Sequence, residues 1–379
     1  MAAVNDRVDQ VDGRHIVHTI GQLGRGGAEK QLSLLALALR DRGWSQAVVS
    51  FSRSGPWKNT LEAGGIRVHE IPSSPVKPYR WWMTNQVIRR ERPTLLMAWS
   101  LHTGFYTRYL AGCGRPVRVQ GIRGDLTIDS NTGRLSGQLR WGRPAVEGAD
   151  CVISNSSWGL DVLRSRGLRI PNPLVIPNIV EARGRARPGT EVEVPQMVAV
   201  GALKQLKGLD VLLRALSQVH TSSDRRFKLI VAGEGPERTG LERLASDLGL
   251  TECVRFLGET SDVPALLADA QLAVHPSRSE GLSNAILEAM AEGLPVVGTS
   301  VGGTTEMIVD GVRGLVVPPN DPHALANAMM SLLNDAQLRA RLGGEALRWV
   351  RRHCSESAVA GAYESAFSRA IAGMRRGQE

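Results

Sequence analysis

The chain has 379 residues, 42% hydrophobic and 22% charged, which fits two packed globular domains. Cys113, Cys151, Cys253 and Cys354 form no C-x-x-C pair, so the sequence indicates neither a zinc site nor a disulfide framework. The formal charge is +9, yet residues 1–180 hold 24 Lys and Arg against 13 Asp and Glu, while residues 181–379 hold 22 against 24.

That asymmetry leads us to expect an acidic partner for the first half alone: a membrane surface, a pyrophosphate-bearing acceptor or nucleic acid. The alternative is that arginines merely solvate helices. A nucleic-acid-binding role fits least, because no groove-reading or stacking module accompanies the charge. The first fifteen residues are polar, with Asp6, Arg7, Asp9, Asp12 and Arg14 where an export signal needs an apolar run. No uninterrupted 18-residue apolar stretch follows, so a cytoplasmic setting is the expectation.

Apolar runs at 15–19, 47–51, 117–120 and 151–154 read as strands, and the periodic stretch 28–40 reads as a helix. This rhythm predicts a parallel sheet covered by helices. After the first strand, Gly24-Arg25-Gly26-Gly27-Ala28-Glu29 opens a helix and lets backbone approach a ligand. Glu29 stands where a dinucleotide fingerprint needs Gly or Ala, and no P-loop motif occurs. Taken alone, the loop is equally a tight packing turn.

Lys77-Pro78-Tyr79-Arg80-Trp81-Trp82, followed by Arg89-Arg90-Glu91-Arg92, sets paired tryptophans beside cations. It suits either a lipid headgroup interface or a core-facing helix start with a basic end. In Met97-Ala98-Trp99-Ser100-Leu101-His102-Thr103, a strand end is expected to deliver His102 to a cleft. Arg115, Arg118, Arg123, Arg134, Arg140 and Arg143 are expected to face the same cleft, with Arg123 the first candidate for gripping a phosphate or carboxylate on an acceptor. Asn178, in a Pro-Asn turn, reads as structural.

At 182–190 the alternation breaks into Gly, Pro and Arg, as a linker does. The expected division is a first domain at 1–181, a linker at 182–195, a second domain at 196–356 and a closing helix at 357–379. In the second domain, strands are read at 197–200, 227–232, 254–257, 272–275 and 296–299, and helices near 209–219 and 237–248. Lys204 and Lys207 follow its first strand in Val200-Gly201-Ala202-Leu203-Lys204-Gln205-Leu206-Lys207-Gly208. Gly233-Glu234-Gly235-Pro236 after the next strand is by itself only a turn.

The most informative stretch is 277–293, where Glu280 and Glu288 flank a loop-to-helix junction that Ser283 or Asn284 could cap. Two carboxylates two turns apart can hold two ends of a polyol. Open N–H groups at Gly281, Leu282 and Ser283 would face an anion at the positive end of the helix. Polyol plus phosphate points to a sugar nucleotide. No Asp-x-Asp pair occurs, so metal-bridged diphosphate binding lacks its usual ligands.

Followed by Gly293-Leu294-Pro295-Val296-Val297 and Gly302-Gly303-Thr304-Thr305-Glu306, this E-x7-E stretch resembles retaining GT-B glycosyltransferases of the family-four type, the bacterial group 1 glycosyltransferases. The likeness runs in order over nearly the whole chain. It implies an α/β fold of GT-B architecture: two Rossmann-like parallel-sheet domains facing across a cleft, the C-terminal helix crossing back to the first. It further implies sugar transfer from a nucleotide sugar, UDP-linked by expectation, with retention and without metal or cofactor. The implied mechanism is front-face attack, the leaving phosphate aiding deprotonation of the acceptor. The resemblance places Glu280, His102 and Lys207 at the catalytic centre, and Gly26, Gly27, Lys204, Lys207, Glu280, Gly281, Leu282, Ser283 and Glu288 on the donor. It places Glu29 on the acceptor side, where Arg123 is the candidate that the arginine cluster supplies.

The family's usual Val-Gly-Arg-Leu reads Val200-Gly201-Ala202-Leu203 here, so one leaving-group cation is missing: either Lys204 substitutes for it with a longer reach, or the phosphate site runs on Lys207 and helix N-termini alone. The expected acceptor is lipid-linked or a cell-envelope polysaccharide, with the enzyme peripheral on the inner membrane face. A soluble small acceptor, such as an aminocyclitol antibiotic or other secondary metabolite, is the alternative.

Overall fold

The structure is a computed structural model describing residues 13–52, 55–71, 77–108, 115–124, 126, 138–185, 187, 189, 191–222, 226–260 and 262–376. Short extended segments form β1 (His15–Ile20), β2 (Ser45–Ser50), β3 (Arg67–Glu70), β4 (Leu95–Ala98), β5 (Val117–Ile122), β6 (Cys151–Ser154) and β7 (Pro173–Val175). They lie in the order β3-β2-β1-β4-β5-β6-β7, every neighbouring pair parallel. A second parallel sheet holds β8 (Gln196–Val200), β9 (Lys228–Ala232), β10 (Val254–Gly258), β11 (Leu272–His275), β12 (Val296–Thr299) and β13 (Leu315–Val317) in the order β10-β9-β8-β11-β12-β13. Helices cover both faces, which is why the central strands are buried along nearly their whole length.

Each order reverses beside its first strand: β4 returns to the far side of β1, and β11 to the far side of β8. In open parallel sheets, ligands bind outside the carboxyl ends of the strands at such a reversal. Topology therefore directs attention to the loops after β1 and β4 in one sheet, and after β8 and β11 in the other.

Strands expected at 151–154, 272–275 and 296–299 occupy those positions, and the helix expected from residue 28 starts one residue earlier, as Gly27–Arg40. Three strands, β3, β7 and β13, carry no signal of their own in the sequence. All are sheet edges, half in solvent and only three or four residues long, so they need no apolar run. Pro173 opens β7, a place in a sheet that tolerates a missing N–H.

One core gathers Ile16, Leu32, Leu39, Leu95 and Met97; a second gathers Leu212, Leu229, Leu272 and Met329. The helix Glu356–Arg376 follows the second sheet in sequence, yet buries Val359, Tyr363 and Phe367 in the first core. Phe367 packs edge-on to Trp44 at 5.7 Å, and Glu364 accepts from Trp44 Nε1 at 3.3 Å and Arg42 at 3.4 Å. Each such fully buried aromatic contributes about 2–3 kcal/mol, so the return helix is anchored mainly by burial.

Candidate active site

The site starts where β8 ends. Beyond Val200, a short 3₁₀ turn, Gln205–Lys207, ends at Gly208 in the left-handed region (φ 63). A Cβ on Gly208 would overlap the Pro276 carbonyl oxygen, so only glycine lets this turn rest on the loop after β11. Arg278, from that loop, binds Asp210 through two bonds of 2.8 and 2.7 Å, the Gln205 carbonyl at 2.7 Å and Asn320 Oδ1 at 2.6 Å. Burial alone would raise the Asp210 carboxyl, but Arg278 holds it below its ordinary value. This clamp fixes where Lys207 can reach.

Lys207 Nζ reaches Glu280 Oε1. Ser277 Oγ donates to the same oxygen at 2.9 Å, and His275 Nε2, from the last residue of β11, lies 2.7 Å away. Three donors thus converge on Oε1, whereas no described residue bonds Oε2. Burial pushes this carboxyl upward; the Lys207 charge, together with the hydrogen bond and charge of His275, outweighs it and holds Glu280 well below the usual carboxylate range. Glu280 is an anion held ready in a mostly buried place. Its loop is braced from beyond by Gly302 (φ 51), where a Cβ would overlap the Glu280 carbonyl oxygen, and by Gly303 N–H donating to the Gly281 carbonyl at 2.7 Å.

The helix Asn284–Ala291 opens at Ser283, whose hydroxyl makes no capping bond. The expected cap is therefore not made. Asn284 Oδ1 instead accepts from Asn178 Nδ2 at 2.8 Å and Gln31 Nε2 at 3.5 Å, from across the interface between the sheets. The amides of Gly281, Leu282 and Ser283 meet no acceptor among the described residues, leaving an open helix N-terminus that favours an anion.

Facing this end is the glycine loop after β1. Gly27 sits so near that a Cβ there would lie 2.7 Å from Asn284 Nδ2, and Lys30 donates to Glu288 Oε1 at 2.6 Å. Glu288 is thus tied to the first sheet's leading helix and does not touch Glu280. Glu29 is buried and folds back over Gly26, with no cation bound to its carboxylate among the described residues. His102 lies not on a strand end but in the first turn of helix Leu101–Thr107, whose Ser100 cap accepts from Thr103 N–H at 3.2 Å. Its exposed ring stands edge-on to Phe51 (6.0 Å) and Tyr106 (5.2 Å). Lys204 precedes the 3₁₀ turn, on the Lys207 side of the cleft.

Two further contacts draw the halves together. Glu306 accepts from the N–H groups of Ser157 (2.8 Å) and Trp158 (2.9 Å), at the start of helix Ser157–Ser165. Gly281 lies against Gly124 so closely that a Cβ would overlap it. The sequence motif contained Glu306 without indicating this role, and Lys30, His275, Ser277 and Arg278 passed unnoticed. A histidine closing the buried run Leu272–His275 was the one local signal.

Several expectations change. Arg123 is a brace and not an open grip for an acceptor: its guanidinium lies 4.6 Å over the Trp99 ring, bonds Asn178 Oδ1 at 3.0 Å and donates to the Tyr363 hydroxyl. Burial lowers its pKa to about 9. Arg115, Arg118 and Arg143 do not face the cleft either. They lie toward the amino-terminal edge of β5 and β6, paired with Asp150 or Glu147, because parallel strands send their starts to the opposite edge from their carboxyl ends. Arg134 lies outside the described residues, as does the Arg140 side chain. Of the two tryptophans, Trp82 is exposed beside exposed Tyr79, while Trp81 packs on the Val17 and Ile88 cluster.

Comparison with known proteins finds a "Glycosyl transferase 4-like domain" over residues 26–179 and "Glycosyl transferases group 1" over residues 194–335. A protein of Catenulispora acidiphila named D-inositol 3-phosphate glycosyltransferase 2 is 32% identical over 320 residues, spanning 78% of this chain and 70% of its own. The chain belongs to the group 1 glycosyltransferases. Another relative of this glycosyltransferase, the lipopolysaccharide core biosynthesis glycosyltransferase LpsE of Rhizobium meliloti, is 28% identical over 346 residues, 89% of this chain and 94% of its own. Among solved structures, Anabaena HepE in complex with UDP and glucose superposes with a TM-score of 0.81 at 23% identity, covering 94% of this chain and all of that one. That likeness bears out the GT-B fold. Among the described residues, no helix of the glycosyltransferase is long and apolar enough to cross a membrane.

Proposed function

We propose that this glycosyltransferase moves a sugar from a UDP-sugar to a lipid-linked or cell-envelope polysaccharide acceptor, with retention of configuration and without a divalent metal. The observation that carries this reading is the Glu280 anion with Lys207, His275 and Ser277 gathered on it at the β8–β11 reversal. An arriving diphosphate competes with Glu280 for the Lys207 ammonium, and the open amides of Gly281, Leu282 and Ser283 take further phosphate oxygens. Lys204 adds charge from the position nearest the missing arginine. Glu280, with Oε2 unbonded, turns to the sugar hydroxyls, while Glu288 exchanges Lys30 for the ribose.

Across the cleft, Gly26 and Gly27 leave room for the transferred sugar, His102 approaches its reacting face, and Glu29 receives the acceptor hydroxyl. The 182–195 stretch is the hinge between residues 1–181 and 196–356, and the closing helix, described as Glu356–Arg376, returns to the first domain. UDP in the HepE structure supports the donor, and the name of LpsE supports an envelope acceptor. Exposed Tyr79 and Trp82, near exposed Arg90, support a peripheral place on the cytoplasmic membrane face. A small phosphorylated acceptor is the second reading, favoured by the name of the 32%-identical relative.

The test is a thermal-shift panel of UDP-, GDP-, ADP- and dTDP-sugars. A ligand at 100 times its Kd adds about 2.7 kcal/mol of apparent stability, so UDP-sugars alone should raise the melting temperature; a response confined to another nucleotide overturns the donor assignment. Flotation on anionic vesicles separates the two acceptor readings, the membrane enzyme floating and the small-acceptor enzyme remaining behind.

A further inference from the structure

A groove of about 890 Å³ opens at the edge of the first sheet opposite the cleft, between the starts of β5, β6 and β7 and the return helix. Four guanidiniums line it, from Arg115, Arg118, Arg169 and Arg369, against two carboxylates, Asp150 and Glu147. Both carboxylates are already engaged. Asp150 takes Arg115 at 3.1 Å and the Arg118 backbone N–H at 2.9 Å, while Glu147 is bound by Arg143 at 2.9 Å and by the Arg169 backbone N–H at 3.3 Å.

Arg169 and Arg369 are left with no anion on their side chains among the described residues. Arg118 Nε is buried without a hydrogen-bond partner, the nearest Asp150 oxygen being 3.8 Å away. Burial chiefly, offset by Asp150 and reinforced by the charges of Arg115 and Arg108, pulls the Arg118 guanidinium below its ordinary pKa. The opposite wall is apolar, from Leu174, Ala370 and Met374.

We infer that this groove is a second binding site, remote from the transfer cleft, for a phosphorylated ligand whose phosphate meets Arg118, Arg169 and Arg369 and whose carbon body lies along the return helix. Two guanidiniums without an acidic partner among the described residues match the charge of about −1.5 to −2 on a phosphate monoester near neutral pH. Planar forks suit its oxygens. Arg369 comes from the helix that follows the second sheet, and the other arginines come from the first domain, so an occupied groove ties the return helix down. Either a lipid headgroup or a free phosphate ester supplies this chemistry.

The test uses the full chain and pyrophosphate as the probe, with Lys207→Ala in the background to weaken the cleft site, so that the charge reversals below decide where the remaining binding lies. Calorimetry should still detect pyrophosphate binding to the Lys207→Ala protein, and hydrogen exchange at 366–374 should slow on its addition. Adding Arg169→Glu and Arg369→Glu, both exposed positions, should weaken that binding about tenfold or more per arginine and leave exchange at 366–374 unchanged by the probe. Pyrophosphate affinity unaffected by the charge reversals, or absent from the Lys207→Ala protein, overturns the inference. Flotation on phosphatidylglycerol but not phosphatidylcholine vesicles, lost on charge reversal, assigns a lipid phosphate; intact pyrophosphate binding without flotation assigns a free ester. Because the readout is binding away from the cleft, failure here leaves the donor assignment untouched.

Discussion

Replacing Lys207 by alanine separates the chemistry of the cleft from its folding. The Glu280 side chain is 10% exposed and that of Lys207 26%, with the ammonium on Oε1. Removing one partner of a fully buried pair costs about 3–5 kcal/mol. Here Glu280 keeps His275 at 2.7 Å and Ser277 at 2.9 Å and the lysine reaches solvent, so about 1–2 kcal/mol of stability is the expected loss. The carboxyl, deprived of its nearest positive charge, moves up toward its ordinary pKa. Catalysis loses more: withdrawing one preorganised cation from the leaving diphosphate lowers kcat by about 10²–10³, or about 3–4 kcal/mol in the barrier. Initial rates over a range of UDP-sugar concentrations, beside a urea melt of the same preparation, measure both effects. Lys207→Arg, which keeps charge but changes its geometry, should recover part of the rate. A Lys207→Ala enzyme that melts slightly earlier yet turns over within threefold of the parent would refute the assignment of Lys207 to the leaving group.

Gly302→Ala forces a Cβ into the Glu280 carbonyl from a left-handed backbone, so the Glu280 loop must shift; calorimetry should find UDP-sugar affinity lowered about tenfold or more, with far-UV dichroism unchanged. Glu306→Ala removes the acceptor of two N–H groups across the cleft and should cost about 1–2 kcal/mol of the closed arrangement, visible as faster hydrogen exchange at Ser157 and Trp158 and a raised KM. His18, buried between Trp99 Nε1 at 3.1 Å and Gln46 at 3.0 Å, has its pKa lowered to about 4, chiefly by burial. The unfolded chain binds the proton more readily, near pH 6.5. The contribution of His18 is therefore whole above pH 6.5 and is lost as pH falls through 4, amounting to about 3 kcal/mol. Urea midpoints at pH 7, 5 and 4 should fall less steeply in His18→Asn than in the parent, and parallel curves would contradict this.

Much of the fold was legible because central strands of a helix-covered sheet are buried on both faces and so tend to be apolar, and Leu272–His275 and Val296–Thr299 announce themselves in that way. The E-x7-E stretch was legible for a different reason: the passage from loop to helix is local, so eight residues of spacing fix which backbone amides stay open beside Glu280. Edge strands such as Arg67–Glu70 carry no comparable signal, since solvent covers one side of them.

Tertiary structure alone decided which charges meet. Lys207 and Glu280 are 73 residues apart, and Lys30 and Glu288 are 258 apart; the order of parallel strands brings the first pair together, and the packing of one sheet's domain on the other brings the second. Strand polarity likewise turned Arg115 and Arg118 to the edge opposite the cleft, and the returning helix turned Arg123 from a free cation into a brace under Tyr363. A sequence fixes the charge that each residue carries and the local backbone that it prefers. Coulomb and hydrogen-bond energies act over a few ångströms in space, so their partners are chosen by the packing of sheets and helices that chain order does not display.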